Sequence, residues 1–559
     1  MVDASVNFWR ILPRVLPFQP ARTLGALYWH LTRRKVRAWT WLRAAAAKTP
    51  LMYNLWIDNI ERKREVADLS VNAFESWGYK PHFSIVVHTA LEGTQRELDA
   101  TIESIKHQIY PDWSLLGVER GGTSGAVGDG YLVLVRAGGI LSRTALFRIA
   151  EALQVNRSAA ILYGDQDEIS GDGQRIKPWF KPHWNREMFL ALDYISAAVA
   201  IESDLARRAT RDKGSKGLDS FLLAATEMAA DAIVHVPHIL SHLPANDVEN
   251  SARIGAVAEH ILPLGATCTP GPYDTVKIEW PLPTKLPLVS IIVSTRDKAD
   301  LLQACLESVL NKTSYREFEV LIVDNGSTER DAVAYLQKID RHPQVEVLPC
   351  DMPYNFSTLN NFAASRAKGD YLCLLNNDTE VVTEDWLTEM IRYGVRADVG
   401  AVGAKLLYPD GSIQHAGVVI GIGGAAGHAH RLLPADQPGY FRQPHVAQFV
   451  SAVTGACLLV RRDKFVAVGG LDEALAVAFN DVDLCLKLEA AGWRNVYVPH
   501  AVLLHHESKS RGSDMSSKNI KRFQQELNLL QEKWGTKTYI DPLHNPNLDK
   551  YSETFVVGL

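Results

Sequence analysis

Two short apolar runs in this chain end abruptly in a carboxylate and small polar residues. They are Val323-Asp324-Asn325-Gly326-Ser327-Thr328 and, about fifty residues on, Leu374-Leu375-Asn376-Asn377-Asp378-Thr379-Glu380. Buried parallel strands read as continuous hydrophobic runs, and their C-terminal ends open onto the crevice where α/β sheets bind ligands. Asp324 stands at one such tip and Asp378 at another. Side by side, two tips of this kind can grip a nucleotide at one and a cation at the other.

The elements that must position these acids belong to a long chain. Its 559 residues exceed what one core can organise and predict two or three domains. A hydrophobic content of 47% and a charged content of 22% are ordinary for a globular α/β protein. The net charge of -5 makes no case for nucleic acid as a partner. Cys268, Cys305, Cys350, Cys373, Cys457 and Cys485 are scattered, with no CxxC pair, and read as reduced thiols rather than a disulfide or zinc framework. Without a signal-peptide pattern or a long uncharged apolar span, the expected location is the cytoplasm.

Residues 1–80 differ from the rest. They are rich in Trp, Leu, Ala, Arg and Lys, with Arg33, Arg34, Lys35 and Arg37 between Trp29 and Trp39-Thr40-Trp41. Basic residues interleaved with aromatics at helical spacing suit a helix lying on an anionic membrane, giving peripheral contact with the inner face of the cell membrane. They equally suit a helix packed on residues 81–250 with its basic side in water.

A repeat follows. Phe83-Ser84-Ile85-Val86-Val87-His88-Thr89 resembles Val289-Ser290-Ile291-Ile292-Val293-Ser294-Thr295, and Glu103-Ser104-Ile105 echoes Glu307-Ser308-Val309. Trp113 to Thr123 aligns with Phe318 to Thr328 without a gap, and Tyr131 to Val135 matches Tyr371 to Leu375. The same strand, helix, strand, strand order occurs twice, which predicts two copies of one α/β domain with a mostly parallel, Rossmann-like sheet. The copies span residues 81–250 and 285–515, and a C-terminal helix and tail occupy 516–559. A turn-rich junction, Thr269-Pro270-Gly271-Pro272 to Pro281-Leu282-Pro283, separates them.

The copies differ where chemistry would sit. Asp324 aligns with Glu119, and Asn376-Asn377-Asp378 with Arg136-Ala137-Gly138. An arginine and a glycine cannot ligate a cation, so the first copy reads as non-catalytic and the second as the working domain. The first retains Tyr163-Gly164-Asp165-Gln166-Asp167-Glu168 after a short apolar strand, either a metal site or a solvated acidic turn.

The second copy resembles family 2 glycosyltransferases of the GT-A fold, in particular the O-antigen and rhamnosyltransferase-like branch. The matching pieces are Val289 to Asp297, Val323 to Thr328, Leu374 to Glu380, Ser412-Ile413-Gln414-His415-Ala416-Gly417, Val453-Thr454-Gly455-Ala456-Cys457, Phe479-Asn480-Asp481-Val482-Asp483-Leu484-Cys485 and His505 to Gly512, in the family's order. The first copy, with Lys177-Pro178-Trp179-Phe180-Lys181-Pro182, resembles the degenerate upstream domain of tandem relatives.

The resemblance implies an inverting glycosyltransferase using Mg²⁺ or Mn²⁺. Oxygen and nitrogen ligands at an open site suit those cations, which offset charge on a departing diphosphate. Asp378 corresponds to the last acid of the metal motif, with His505 or His506 completing it; either histidine also reads as a packed core residue. Thr295, Arg296, Asp324 and Asn377 are implied at the donor nucleotide. Asp481 occupies the position of the base that takes a proton from the acceptor hydroxyl, with Asp483 the better candidate for capping the same helix. His415, Thr454 and Gly455 are implied in the sugar and acceptor cleft, or are turn and packing residues. The implied partners are a nucleotide-sugar donor, dTDP-rhamnose or a UDP-hexose, and a glycan or lipid-linked acceptor of bacterial surface polysaccharide synthesis. The competing readings are a catalytically inactive glycan-binding scaffold and a tandem enzyme with both copies active.

Overall fold

The computed structural model describes residues 8–558 apart from 33–34, 47–48, 50, 66–72, 90–94, 121–127, 214–216, 246–252 and 507–518. Four short helices open it: α1 (Phe8–Val15), α2 (Pro20–Leu31), α3 (Lys35–Ala46) and α4 (Leu51–Trp56). The aromatic and basic stretch is therefore two helices rather than one. Arg33 and Arg34 lie outside the described residues, as do the side chains of Lys35, Arg37 and Trp39.

The first sheet is built from β1 (Phe83–Thr89), β2 (Trp113–Arg120), β3 (Tyr131–Arg136), β4 (Ile140–Leu141), β5 (Ile161–Ile169), β6 (Arg175–Trp179), β7 (Ala198–Glu202) and β8 (Ile233–Pro244). Its order is β2-β1-β3-β7-β5-β8-β4, with β6 on β5. A hairpin of β9 (Thr267–Pro270) and β10 (Val276–Glu279) follows, so the expected turn-rich junction is itself a two-stranded element.

The second sheet uses β11 (Val289–Thr295), β12 (Phe318–Asp324), β13 (Val345–Pro349), β14 (Tyr371–Asn376), β15 (Thr379–Val381), β16 (Val399–Leu407), β17 (Ile413–His415), β18 (Val418–Ile420), β19 (Ala426–His428), β20 (Gln448–Val450), β21 (Cys457–Arg461) and β22 (Arg494–His505), of which β18 and β19 form a separate hairpin. Its order, β13-β12-β11-β14-β21-β16-β22-β15, repeats that of the first sheet strand for strand and adds β13 at the edge. Ile291, Ile292 and Val293 of β11 are fully buried, each contributing about 1.5–3 kcal/mol of apolar burial.

Both sheets are mixed, correcting the expectation of mostly parallel ones. β11 is parallel to β12 and β14, but β21 runs antiparallel to β14 and β16; in the first sheet β7 runs antiparallel to β3 and β5. An apolar run buried on both faces looks the same in either direction, so hydrophobicity does not report strand polarity. The register also corrects one alignment. Thr295 pairs with Asp324, but a bulge between Ile85 and Val86 makes the equivalent Thr89 pair with Arg120, not Glu119.

The sheets share a continuous apolar core running from Leu132, Tyr163 and Phe189 through Trp280 to Val293, Trp386 and Val496. Polar groups fasten the seam. Asn185 Nδ2 donates to the Phe449 carbonyl (2.9 Å) while its Oδ1 accepts from the Phe449 N–H (3.1 Å), and buried Glu187 pairs with Arg396 at 2.7 Å.

The acidic cluster of the first copy is neither a metal site nor a solvated turn. Asp165 and Asp167 lie on β5, 0% and 1% exposed. Asp165 accepts from His235 Nε2 (2.7 Å), the Lys181 N–H (2.8 Å) and Asn545 Nδ2 (3.0 Å). Asp167 bonds Tyr53, Arg175 and His242, each at 2.5 Å, and the His242 and Arg175 charges hold its carboxyl below the usual range. Tyr53 comes from α4 and Asn545 from the C-terminal tail, so these acids are the polar joint between three parts of the chain. Strand alternation with apolar neighbours at Tyr163 and Ile169 hid this, because the partners come from other elements, Tyr53 and Asn545 from more than a hundred positions away.

Candidate active site

The second sheet brings its strand tips together. In register, Thr295 lies beside Asp324 and Ser294 beside Asn376, so the three parallel strands β12, β11 and β14 end at one edge. Thr295 Oγ1 accepts from Asn377 Nδ2 at 3.1 Å, tying two of these tips directly. Asp324 Oδ1 accepts the Ser327 N–H at 3.0 Å, which folds the Asn325-Gly326 turn back over its own strand. Gly326 has φ +71°, and a Cβ there would meet Asp351 Oδ1 at 3.0 Å.

Arg296 is exposed and begins a loop in which Asp297 and Lys298 both take positive φ. Left-handed backbone at two consecutive non-glycine residues costs free energy that neighbouring contacts must offset. Asp297 supplies them: Oδ1 accepts from the Thr328 (2.7 Å) and Glu329 (2.8 Å) N–H groups, and its own N–H donates to Ser327 Oγ (2.8 Å). Those backbone donors hold its carboxyl below the usual range. Asp297 was not among the expected site residues, although it lies in the Val289 to Asp297 motif.

Asp378 follows β14 and is buried at 4% exposure. Because β15 pairs antiparallel with β22, Thr379 lies opposite His505, and His505 Nε2 stands 3.1 Å from Asp378 Oδ1. His505 Nδ1 bonds Gln414 Oε1 at 2.8 Å, an acceptor, so Nδ1 carries a hydrogen. Nε2 is then turned toward Asp378 and toward Asn376 Nδ2 at 3.2 Å. A histidine oriented by an acceptor on one nitrogen, with the other facing a carboxylate, suits an ion pair with that carboxylate as well as a cation shared between the two. His506 differs: its N–H bonds the Asp378 carbonyl (2.9 Å) and its ring meets Glu380 at 2.7 Å. Of the two expected histidines, the geometry brings His505 to the Asp378 carboxylate. Glu507 to Gly512, the rest of that motif, lie outside the described residues.

Among the described residues no group of three His, Cys, Asp or Glu side chains stands ready to hold a metal by itself. Asp378 and His505 supply one oxygen and one nitrogen, which fits a hard cation that completes its shell with ligand oxygens and water.

Asp481 lies in the first turn of α5 (Asn480–Ala490), entered through Phe479 at φ +64°. Its Oδ2 accepts the Gly455 N–H and its Oδ1 the Val482 N–H, both at 2.8 Å. A Cβ at Gly455 would make only an ordinary contact, 3.4 Å from the Asp481 Cβ, so it is the Gly455 N–H that serves this site. Thr454 braces the same turn through its Oγ1, which accepts from Ala456 N–H at 3.3 Å, and the Ala456 carbonyl in turn accepts from the Asn376 N–H at 3.0 Å. The Asp481 and Asp378 segments are thus one bonded unit.

Asp483, expected as the cap, is instead wholly buried and bonded to Trp534 Nε1 (2.8 Å) and Lys533 (2.7 Å) of α6 (Ile520–Trp534). His415, expected either in the sugar and acceptor cleft or as a packing residue, is 0% exposed and bonds His428 Nδ1 to Nδ1 at 3.0 Å. Burial, with the His428 and His505 charges, pushes its pKa well below the ordinary value. Its neighbour Gln414 makes the contact with the site; strand alternation sends the two side chains opposite ways. Two cavities, of about 220 and 370 Å³, lie elsewhere: one lined by Trp56, Arg64 and Arg175, the other between the sheets by Trp184, Phe449 and Arg494.

Comparison with known proteins places the chain in a family. Residues 290–468, which hold Thr295, Asp324 and Asp378 but not Asp481 or His505, match the family described as Glycosyl transferase family 2. The chain is 33% identical over 491 residues to an O-antigen biosynthesis protein of Myxococcus xanthus, covering 78% of this chain and 38% of that one. It is 30% identical over 263 residues to N-acetylglucosaminyl-diphospho-decaprenol L-rhamnosyltransferase of Mycobacterium tuberculosis, covering 42% of this chain and 79% of that one. A mannosyltransferase of Pyrobaculum calidifontis, solved with GDP-Man and Mn2+, is 18% identical with a TM-score of 0.35, covering 48% of this chain and 70% of that one. The chain spans less than half the length of the longer curated relatives it matches. With the family's pattern across the second sheet and most of a rhamnosyltransferase's length matched at 30% identity, the chain belongs to glycosyltransferase family 2.

Proposed function

We propose that the chain is an inverting, metal-dependent glycosyltransferase. It would move a sugar from a dTDP-rhamnose or UDP-hexose type donor to a glycan or lipid-linked acceptor of bacterial surface polysaccharide, on the cytoplasmic side of the membrane. The observation that carries this reading is the bonded unit joining Asp378, His505 and Asp481 at the edge where β11, β12 and β14 end. The names of the relatives, O-antigen biosynthesis and rhamnosyl transfer, support the choice of sugar and acceptor class.

Mg²⁺ or Mn²⁺ would be held by Asp378 and His505 and, when bound, would offset the negative charge that builds on the departing diphosphate. Gln414 keeps the His505 Nε2 lone pair directed at that position. Arg296, exposed on its loop, adds positive charge for the diphosphate; Asp324, Thr295 and Asn377 form the floor for the nucleoside. Asp481, half-buried with two backbone donors, takes the proton of the acceptor hydroxyl as its oxygen attacks the anomeric carbon. A single displacement with one base inverts that centre. The first sheet is read as a second, non-catalytic copy: Arg136 stands in register where Asn376 does, and a guanidinium repels a cation.

Hydrolysis of a panel of nucleotide sugars by the purified chain, with and without EDTA, tests the proposal. One donor hydrolysed faster than the rest, with activity lost in EDTA and restored by Mn²⁺, is expected. No hydrolysis of any donor would favour a glycan-binding scaffold, and activity indifferent to EDTA would remove the metal.

A further inference from the structure

We propose that the outer face of α1 and α2 docks on an anionic lipid bilayer by inserting apolar side chains. This names the surface that would carry the enzyme to a lipid-linked acceptor, and in that purpose it rests on the reading above.

The N-terminal helices have a core of their own. Phe8, Ile11, Val15, Ala26, Leu42 and Met52 are buried together, and α4 carries the attachment to the first sheet through Tyr53 and Trp56. With that inward face satisfied, α2 still carries Leu24, Tyr28 and Leu31 pointing outward, 55%, 58% and 68% exposed. Their spacing of four and three residues puts them in one stripe along the helix. Trp9 (53%) and Phe18 (58%) on α1 and the turn after it, and Trp41 on α3, are exposed as well. Among the described residues, six of the twenty exposed large hydrophobic ones thus fall within residues 9–41. Water-facing surfaces scatter such residues singly, and a concentration of them marks a partner.

Charge selects the partner. Residues 1–50 hold nine Lys and Arg but only one acid, Asp3, in a chain whose net charge is -5. Of these, Arg14 and Arg22 are exposed; a second copy would bring the same positive charge against this one, whereas an anionic leaflet is attracted to it. Among the described residues no helix is long and apolar enough to cross a membrane, so the helices would lie in the interface plane.

The test is flotation of the full chain with phosphatidylcholine vesicles, with or without phosphatidylglycerol, at low and high salt. Wild type should float only with phosphatidylglycerol, and less at high salt. The triple variant Leu24→Gln, Tyr28→Gln, Leu31→Gln, whose side chains are solvent-facing and whose helix content is checked by circular dichroism, should lower partitioning by about a hundredfold. Arg14→Gln with Arg22→Gln should lower it by several-fold and reduce the salt dependence. Wild type that fails to float, or a folded triple variant that floats like wild type, overturns the proposal. A triple variant that turns a dimer into a monomer while floating unchanged assigns the stripe to a second copy and overturns it too. Hydrolysis of donor in solution is measured in parallel: activity kept by a chain that does not float rejects the docking face alone, and floating without hydrolysis rejects the enzyme reading alone.

Discussion

Replacing Asp481 by Asn separates a base from a backbone fastener. In the native chain its two oxygens each accept one N–H, from Gly455 and from Val482, at 2.8 Å. An asparagine keeps one acceptor oxygen, so one of these bonds is lost, at a cost of about 0.5–1.5 kcal/mol. For a domain of this size that lowers Tm by only about 2–6 °C. Loss of a general base instead lowers turnover by about 10²–10⁴, or roughly 3–5 kcal/mol of barrier. The chemical effect thus exceeds the structural one several-fold, and the two are read independently. With the preferred donor, kcat, donor Kd and Tm are measured on the same preparation. The expected outcome is a kcat down by at least about a hundredfold, a donor Kd within a few-fold and a small drop in Tm. A kcat within tenfold of wild type would show that Asp481 only ties Gly455 to α5, and a large rise in Kd with kcat kept would make it a binding residue.

Other predictions follow from the same contacts. Asp378→Ala and His505→Ala should each abolish Mn²⁺-dependent nucleotide binding in calorimetry, while His506→Ala, whose ring meets Glu380, should change it only a few-fold; equal loss in both histidine variants would undo the distinction between them. Asp165→Ala with Asp167→Ala should destabilise the fold, since the buried donors of His235, Asn545, Tyr53 and His242 lose their acceptors and Arg175 keeps only Glu61. At about 3–5 kcal/mol per broken buried pair, the melting midpoint should fall well beyond the error of calorimetry, and an unchanged midpoint would contradict the joint described above. Asp541 gives a pH dependence. Burial pushes its carboxyl up to about 6, although the Ile420 and Leu543 N–H groups donate to it, against about 3.9 in the unfolded chain. The folded chain therefore keeps the proton over a range where the unfolded chain has released it. Its stabilising share is whole below about pH 4 and is lost as pH rises through 6, a difference of about 3 kcal/mol. Asp541→Asn should flatten the stability profile between those values in denaturant titrations, and a profile unchanged by the substitution would refute the assignment.

The repeat, the strand tips and the family were written in the sequence because each depends on local order. Apolar runs ending at Asp324 and Asp378 form strands wherever they are buried, and the bond from Asn377 to Thr295 follows once two such strands are neighbours. What tertiary structure alone decided depends on partners distant in the chain. Which of two adjacent histidines faces Asp378 was fixed by the pairing of β15 with β22 and by Gln414, ninety-one residues before His505. Strand direction was likewise invisible, because burial on both faces leaves no polarity in the pattern. Asp165 and Asp167 read as an acidic turn because their compensating groups lie on α4, β8 and the C-terminal tail; only folding brings His235, Tyr53 and Asn545 to them. A carboxylate's meaning is set by what surrounds it, and for these acids the surroundings are not local in sequence.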